Sequence, residues 1–193
     1  MIRRHRSACG PTCAEPDGRS LEARSPNFLG SICQQCNAFF SLVTGGSSAA
    51  ETARHLLVAR PLSVDVTRKH VIGLERDGAL IAIVDLLEGY PDRDDWYVGL
   101  LLLSPGERGR GLGAAVWAAV EQWICAEGGR HARLIVQEQN PAAVRFWRAA
   151  GFTADGTVEQ RLPARTNLCW RFEKPLIAVP REQVSIDCGK PAL

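Results

Sequence analysis

Residues 96–114, WYVGLLLLSPGERGRGLGA, constrain this chain more than any other stretch. An apolar run from Tyr97 to Leu103 stops at Ser104-Pro105, crosses a charged, glycine-rich turn and enters a long amphipathic segment at Gly111-Leu112-Gly113. That order reads as strand, loop, helix start. A helix start leaves unpaired backbone N–H groups aimed outward, with the positive end of the helix dipole behind them. Gly109, Gly111 and Gly113 clear side chains away from those donors, and Arg108 and Arg110 add mobile positive charge. The expected ligand is a phosphate or pyrophosphate. A tight turn with a helix cap, holding nothing, accounts for the bare loop equally well.

Two better-known glycine loops fit less well. Gly109, Gly111 and Ala114 satisfy a G-x-G-x-x-A dinucleotide pattern, but Ser104 to Arg108 intervene between it and the strand. No acidic residue ends a following strand about 20 residues on. A P-loop is excluded, because no Gly-Lys-Ser/Thr follows the turn.

Arg108-Gly109-Arg110-Gly111-Leu112-Gly113 resembles the R/Q-x-x-G-x-G/A signature of the GCN5-related N-acetyltransferase (GNAT) superfamily, and the preceding LLLLSP resembles its central strand. Downstream, Asn140-Pro141-Ala142-Ala143-Val144-Arg145-Phe146-Trp147-Arg148-Ala149-Ala150-Gly151-Phe152 resembles the superfamily's N-x-x-A-x-x-F-Y-x-x-x-G-F block. The ordered pair, with a helix and a strand between, is far more specific than either motif alone. The resemblance covers residues 70–173.

The rest of the chain is read from periodicity. Residues 1–24 are rich in Arg, Pro, Gly and Ser and are expected to be a disordered extension. Residues 25–174 form one domain, and 175–193, with three prolines, a tail. A first helix runs from Ser31 through Ile32, Cys36, Phe39, Phe40 and Val43 to Thr44-Gly45-Gly46. Ser47 and Ser48 cap a second, AAETARHLLVAR, which Pro61 stops. Strands follow at His70–Glu75 and Ala79–Leu87, joined by an Asp77-Gly78 hairpin turn, and EGYPDRDD leads into Trp96–Leu103. The helix after the glycine loop presents Leu112, Ala115, Val116, Ala119, Val120, Trp123 and Ile124 and ends at Gly128-Gly129. Arg133–Val136 is a short strand; Asn140 caps and Pro141 opens another helix; strands at Phe152–Leu162 and Asn167–Glu173 finish the sheet. The connections give an α/β (α+β) fold with a mixed, mostly antiparallel sheet flanked by helices, parallel where Trp96–Leu103 and Arg133–Val136 flank a helix. The resemblance implies that those two strands splay apart, as in the acyl-CoA N-acyltransferase fold.

Charge and composition set the function class from outside. With 23 Lys+Arg against 21 Asp+Glu, the chain is too balanced to suggest a nucleic-acid partner. No apolar run reaches the roughly 18 residues of a membrane helix, and the basic start has no apolar segment behind it. A cytoplasmic protein is expected. Cys9, Cys13, Cys33 and Cys36 have the paired spacing of a four-thiolate zinc site, but Cys33 and Cys36 at i, i+3 also fit one buried helix face, and no metal is assigned.

The resemblance implies acetyl-CoA as co-substrate. Its pyrophosphate would lie at Gly109 to Gly113 and its pantetheine arm along the backbone of Leu101, Leu102 and Leu103. Asn140 would reach the arm's edge, or serve only as a helix cap; Phe146 and Trp147 would pack against the arm, or in the core. The implied reaction is direct attack of an amine on the thioester, with a strand N–H stabilising the oxyanion. Trp147 stands where the superfamily often has a tyrosine acid, and an indole cannot give a proton in the same way, so Tyr97 is the candidate stand-in. The central strand carries no carboxylate, which leaves Asp85 and Glu88 as candidate bases. Asp85 interrupts an apolar run, and a hydrogen-bonded structural role explains it as readily as a functional one. Glu88, Asp92, Asp94 and Asp95 form an acidic loop, either a solvated turn or an attractor for a cationic amine. The acceptor, a small-molecule or protein amine, is open. A homodimer follows by analogy, and a non-catalytic acyl-CoA-binding module is the rival function.

Overall fold

The computed structural model describes residues 19–20, 26–45, 49–162 and 164–177. Among these residues, seven strands form one sheet: β1 (Arg19–Ser20), β2 (Lys69–Arg76), β3 (Ala79–Glu88), β4 (Asp95–Leu103), β5 (His131–Gln137), β6 (Thr153–Leu162) and β7 (Arg165–Pro175), in the order β1-β2-β3-β4-β5-β7-β6. Every neighbouring pair is antiparallel except β4–β5. This is the mixed sheet the connections required. Asp77 (φ 51°) and Gly78 (φ 75°) make the left-handed pair of the β2–β3 turn.

Among the described residues, five α-helices cover the sheet: α1 (Pro26–Gln35), α2 (Asn37–Thr44), α3 (Ala49–Val58), α4 (Leu112–Ala126) and α5 (Pro141–Ala149). Strand side chains alternate faces, so the continuous apolar run of β3 feeds two cores. Val84 and Leu86 pack with Trp96, Val98, Trp117, Ile124 and Trp147 beside α4 and α5. Ile83 joins Leu29, Ile32, Cys33, Phe40, Ala53 and Leu102 beside α1, α2 and α3.

Several expectations change. The first predicted helix is two, broken at Cys36 (φ −99°, ψ 19°), and it begins at Pro26. The break sends α2 toward the far edge of the sheet, where Asn167 Nδ2 donates to Val43 O (2.8 Å) and Arg165 Nη1 to Leu42 O (2.5 Å). On α4 the buried face is Gly113, Trp117, Val120, Ile124 and Cys125, while Ala115 and Ala119 are exposed. A buried indole removes far more apolar area from water than a methyl group, so Trp117 sets the helix rotation. Arg19–Ser20, inside the expected extension, pairs with Gly73 and Ile72 of β2. Cys9, Cys13, Ser47 and Ser48 lie outside the described residues. Cys33 and Cys36 are buried in the helical cluster.

The parallel pairing of β4 and β5 is short, limited to Asp95↔His131, Trp96↔Ala132 and Tyr97↔Arg133. Beyond Tyr97, β4 stays with β3 and β5 with β7, and a gap opens. Asp95, 2% exposed, clamps the closed end: His131 Nδ1 lies 3.0 Å away, Arg133 Nε donates at 2.7 Å, and Arg133 continues to Glu173. The chain enters β5 past Gly129, where a Cβ would stand 2.4 Å from Ile124 and 2.6 Å from Trp96. Gly129→Ala is therefore expected to destabilise the protein by about 2 kcal/mol through overpacking, measured by denaturant unfolding; an unchanged midpoint would contradict this packing.

Candidate functional site

The glycine loop divides its labour. Gly109 (φ 73°) and Gly111 (φ 81°) both need the left-handed region, and around the position of a Cβ on either there is open space within 4 Å. Gly113 is a packing residue: a Cβ there would meet Phe146 Cε2 at 3.2 Å and Leu103 Cδ1 at 3.3 Å. Gly111 caps α4 without a side-chain hydrogen bond, and the first helical bond runs from Ala115 N–H to Gly111 O. The N–H groups of Leu112, Gly113 and Ala114 have no intrahelical acceptor and aim at the space that Gly109 and Gly111 leave clear. Arg110 is exposed beside them with no ion pair among the described residues. Arg108 differs from expectation. Its Nε and Nη2 donate to Leu103 O (3.1 and 3.0 Å) and Nη2 approaches Cys36 Sγ (3.2 Å), tying the end of β4 to the α1–α2 junction.

The backbone lining the gap follows from register. Ser104 N–H donates to Ile81 O of β3, and strand groups alternate sides, so Leu102 also turns its backbone toward β3 while Leu101 and Leu103 turn theirs into the gap. Leu102 is 4% exposed, a core residue. Across the gap, Glu138 N–H bonds Leu168 O of β7, which leaves Ile135 and Gln137 facing β4. A split sheet with unpaired backbone on its inner edges can take an extended ligand as another strand would.

The other expected ligand contacts are placed as follows. Phe146 is half-buried against Gly113 and Leu103 at the gap. Trp147 points into the core, its ring 5.3 Å from Trp117 and 5.0 Å from Phe152. Asn140 Oδ1 accepts from Ala143 N–H at 3.2 Å, the capping role.

A bulge on β4 shapes the neck of the gap. Asp85 opposes Leu100 and Leu86 opposes Val98, so Gly99 is the extra residue, and it is exposed. Asp85 fills the room its missing side chain leaves: Oδ2 stands 2.9 Å from where a Gly99 Cβ would be, while Oδ1 accepts from Lys69 Nζ at 2.6 Å. Burial pushes the Asp85 carboxyl above its ordinary range, and Lys69 and, more weakly, His55 pull it back. Tyr97 lies two strand positions beyond the bulge on the same face, its ring 5.5 Å from Tyr90. Burial and the neighbouring Tyr90 hold its hydroxyl well above the usual phenol range, and no described residue hydrogen-bonds it.

Glu88 is not part of this group. It pairs with His70 (3.3 Å) on the opposite sheet face, where His70 stacks on Trp96. The acidic loop is largely engaged too: Asp94 faces Arg130, and Asp95 is the clamp at the closed end. Asp92 and Asp94 are exposed on the turn itself. Lys69 and Gly99 escaped the sequence reading, because neither belongs to a motif and both matter only through strand register.

The acetyltransferase (GNAT) family model matches residues 45–152. Mycothiol acetyltransferase of Kineococcus radiotolerans is 34% identical over 113 residues, 58% of this chain and 35% of that protein, so the chain spans about a third of this curated relative. A putative GNAT acetyltransferase from Desulfovibrio desulfuricans superposes with a TM-score of 0.65 at 15% identity, covering 83% of this chain and 97% of that one. The PaiA N-acetyltransferase of Thermoplasma acidophilum, solved with coenzyme A, gives 0.62 at 17% identity over 82% and 98%. At these identities the structures speak for the fold alone. With a family model matched over more than half its length and the split sheet and glycine loop in place, the chain belongs to the acetyltransferase (GNAT) family.

Proposed function

We propose that this protein transfers an acetyl group from acetyl-CoA to a primary amine by direct attack. One observation carries the reading: the backbone of Leu101 faces an open gap between β4 and β5, and that gap leads past Leu103 to the clear space over Gly109 and Gly111. The residues fit the co-substrate, since open Cβ positions, free first-turn N–H groups and Arg110 suit a pyrophosphate, and a strand edge suits an amide-bearing arm. When bound, acetyl-CoA supplies the thioester carbonyl that the amine attacks and the thiol that leaves.

The chain's own groups supply the rest. Leu101 N–H, the first β4 donor beyond the bulge that faces the gap, is placed to receive a developing oxyanion. Asp85 Oδ2, beside the exposed bulge, takes the proton of the incoming ammonium; a carboxyl raised by burial is better matched to that task than an ordinary one. Tyr97's unpartnered hydroxyl is a hydrogen-bond donor for the leaving sulfur. The likeness to a mycothiol acetyltransferase supports a small-molecule acceptor. Cys33, Cys36, Cys125 and Cys169 are free thiols, which supports a cytoplasmic setting.

The test is acetyl-CoA consumption against a panel of amines, including protein N-termini and lysine peptides, read as released thiol. Turnover on at least one amine is expected. Coenzyme A binding without turnover on any member would favour the acyl-CoA-binding module, and absence of binding would overturn the reading altogether.

A further inference from the structure

Asp85 is held by a residue outside both motifs. Lys69, 3% exposed, reaches diagonally across the β2–β3 pair to Asp85 Oδ1, and its side chain is more deeply buried than the carboxylate's. Buried ion pairs add little to stability compared with an apolar pair of similar volume. This one stands at the neck of the gap, and it leaves one carboxylate oxygen free on the side of the exposed bulge. A stability role explains the burial of the pair but not its asymmetry.

We propose that Lys69 is the positioning residue of amine deprotonation, turning Asp85 so that Oδ1 is engaged and Oδ2 faces the β4 bulge. The inference rests on the proposed role of Asp85 as the proton acceptor. Its physical content is charge as well as direction. Without a cation alongside, burial would push this carboxyl further above its ordinary range and leave less of it ionised to accept a proton. Among the described residues, the charged groups around Asp85 are Lys69 from β2 and His55 from α3; β4 brings Gly99 and Leu100 beside it, with the Tyr97 phenol two positions farther along the same face. Lys69 is in contact, and His55 acts from farther off.

The experiment uses the full chain and two readouts. Carboxyl carbon resonances are followed by NMR against pH, with Asp85→Asn identifying the signal, and kcat/KM for an accepted amine is profiled over the same range. Lys69→Met is expected to move both the Asp85 titration and the acid limb of kcat/KM to higher pH. Activity on that limb should drop about tenfold for each unit moved and converge with wild type at high pH. Lys69→Arg restores most of the loss, whereas His55→Gln shifts the limb much less. A loss that is equal at every pH, or an Asp85 titration that does not move, would overturn the proposal. Where Lys69→Met does not fold, Lys69→Gln keeps a hydrogen bond to Oδ1 without the charge; if neither neutral variant folds, the role is structural and the proposal fails. Should Asp85→Asn leave the pH profile intact, it is the proton-acceptor reading that falls, and the NMR titration separates that result from a failure of the Lys69–Asp85 coupling.

Discussion

Replacing Asp85 with asparagine is expected to lower kcat/KM for the amine about 10²- to 10⁴-fold, the usual contribution of a positioned proton acceptor, with coenzyme A affinity unchanged. The reason is local. Among the described residues, Asp85 is the one carboxylate at the Gly99 bulge, since Glu88 faces the opposite side of the sheet and Asp95 is bound at the closed end. Asparagine keeps the shape and can still accept a hydrogen bond from Lys69, but it takes no proton. It also leaves a buried ammonium without its counter-charge, and removing one partner of such a pair costs about 3–5 kcal/mol. Turnover must therefore be expressed per folded molecule, with thermal unfolding measured in parallel. The assignment fails if the drop in activity only tracks the loss of folded protein.

The second large effect is at the loop. Gly111→Trp is expected to weaken coenzyme A binding by at least about 100-fold, the scale on which a bulky side chain denies a ligand several hydrogen bonds to charged oxygens. Two costs are separable. The left-handed φ of 81° charges any L-residue about 1–2 kcal/mol of fold stability. Nothing stands within 4 Å of its Cβ position, so an indole there extends into the open space in front of the α4 N-terminus. Gly111→Ala carries the backbone cost without the bulk, so calorimetry should rank affinity as wild type, then Ala with a small loss, then Trp with a large one. Equal losses in both variants would show that backbone strain, not ligand space, is at stake. Because the contact is between a helix start, Arg110 and phosphate charge, affinity should also fall as salt is raised.

Much of this was legible beforehand because it rests on local chemistry. Gly109-x-Gly111 needs left-handed backbone whatever surrounds it, Asp77-Gly78 needs a tight hairpin turn, and Asn140-Pro141 can cap and open a helix in isolation. Those signals gave the order of elements, the mixed sheet and the position of the loop. Asp85 stood out as a charge within an apolar run for the same reason: burying it demands a partner, although which partner was not visible. The motif-borne contacts divided once packing was known, with Phe146 at the gap, Trp147 in the core and Arg108 folded onto Leu103.

What remained hidden depends on register, which is a property of pairs of strands. A hairpin read straight from the Asp77-Gly78 turn would set His70 opposite Asp85 and put Lys69 on the other face. The observed pairing jumps from Glu75↔Leu80 to Leu74↔Ala82, so Ile81 is an extra residue, Val71 opposes Asp85, and Lys69 comes to its face. The second bulge, at Gly99, turns the backbone of Leu101 and Leu103 into the gap and clears the space Asp85 occupies. By itself the sequence determined the strand–loop–helix that can meet a phosphate and the family that uses it. Only the tertiary structure decided which charge stands beside Asp85, because one residue inserted in a strand exchanges its two faces and no local preference announces the insertion.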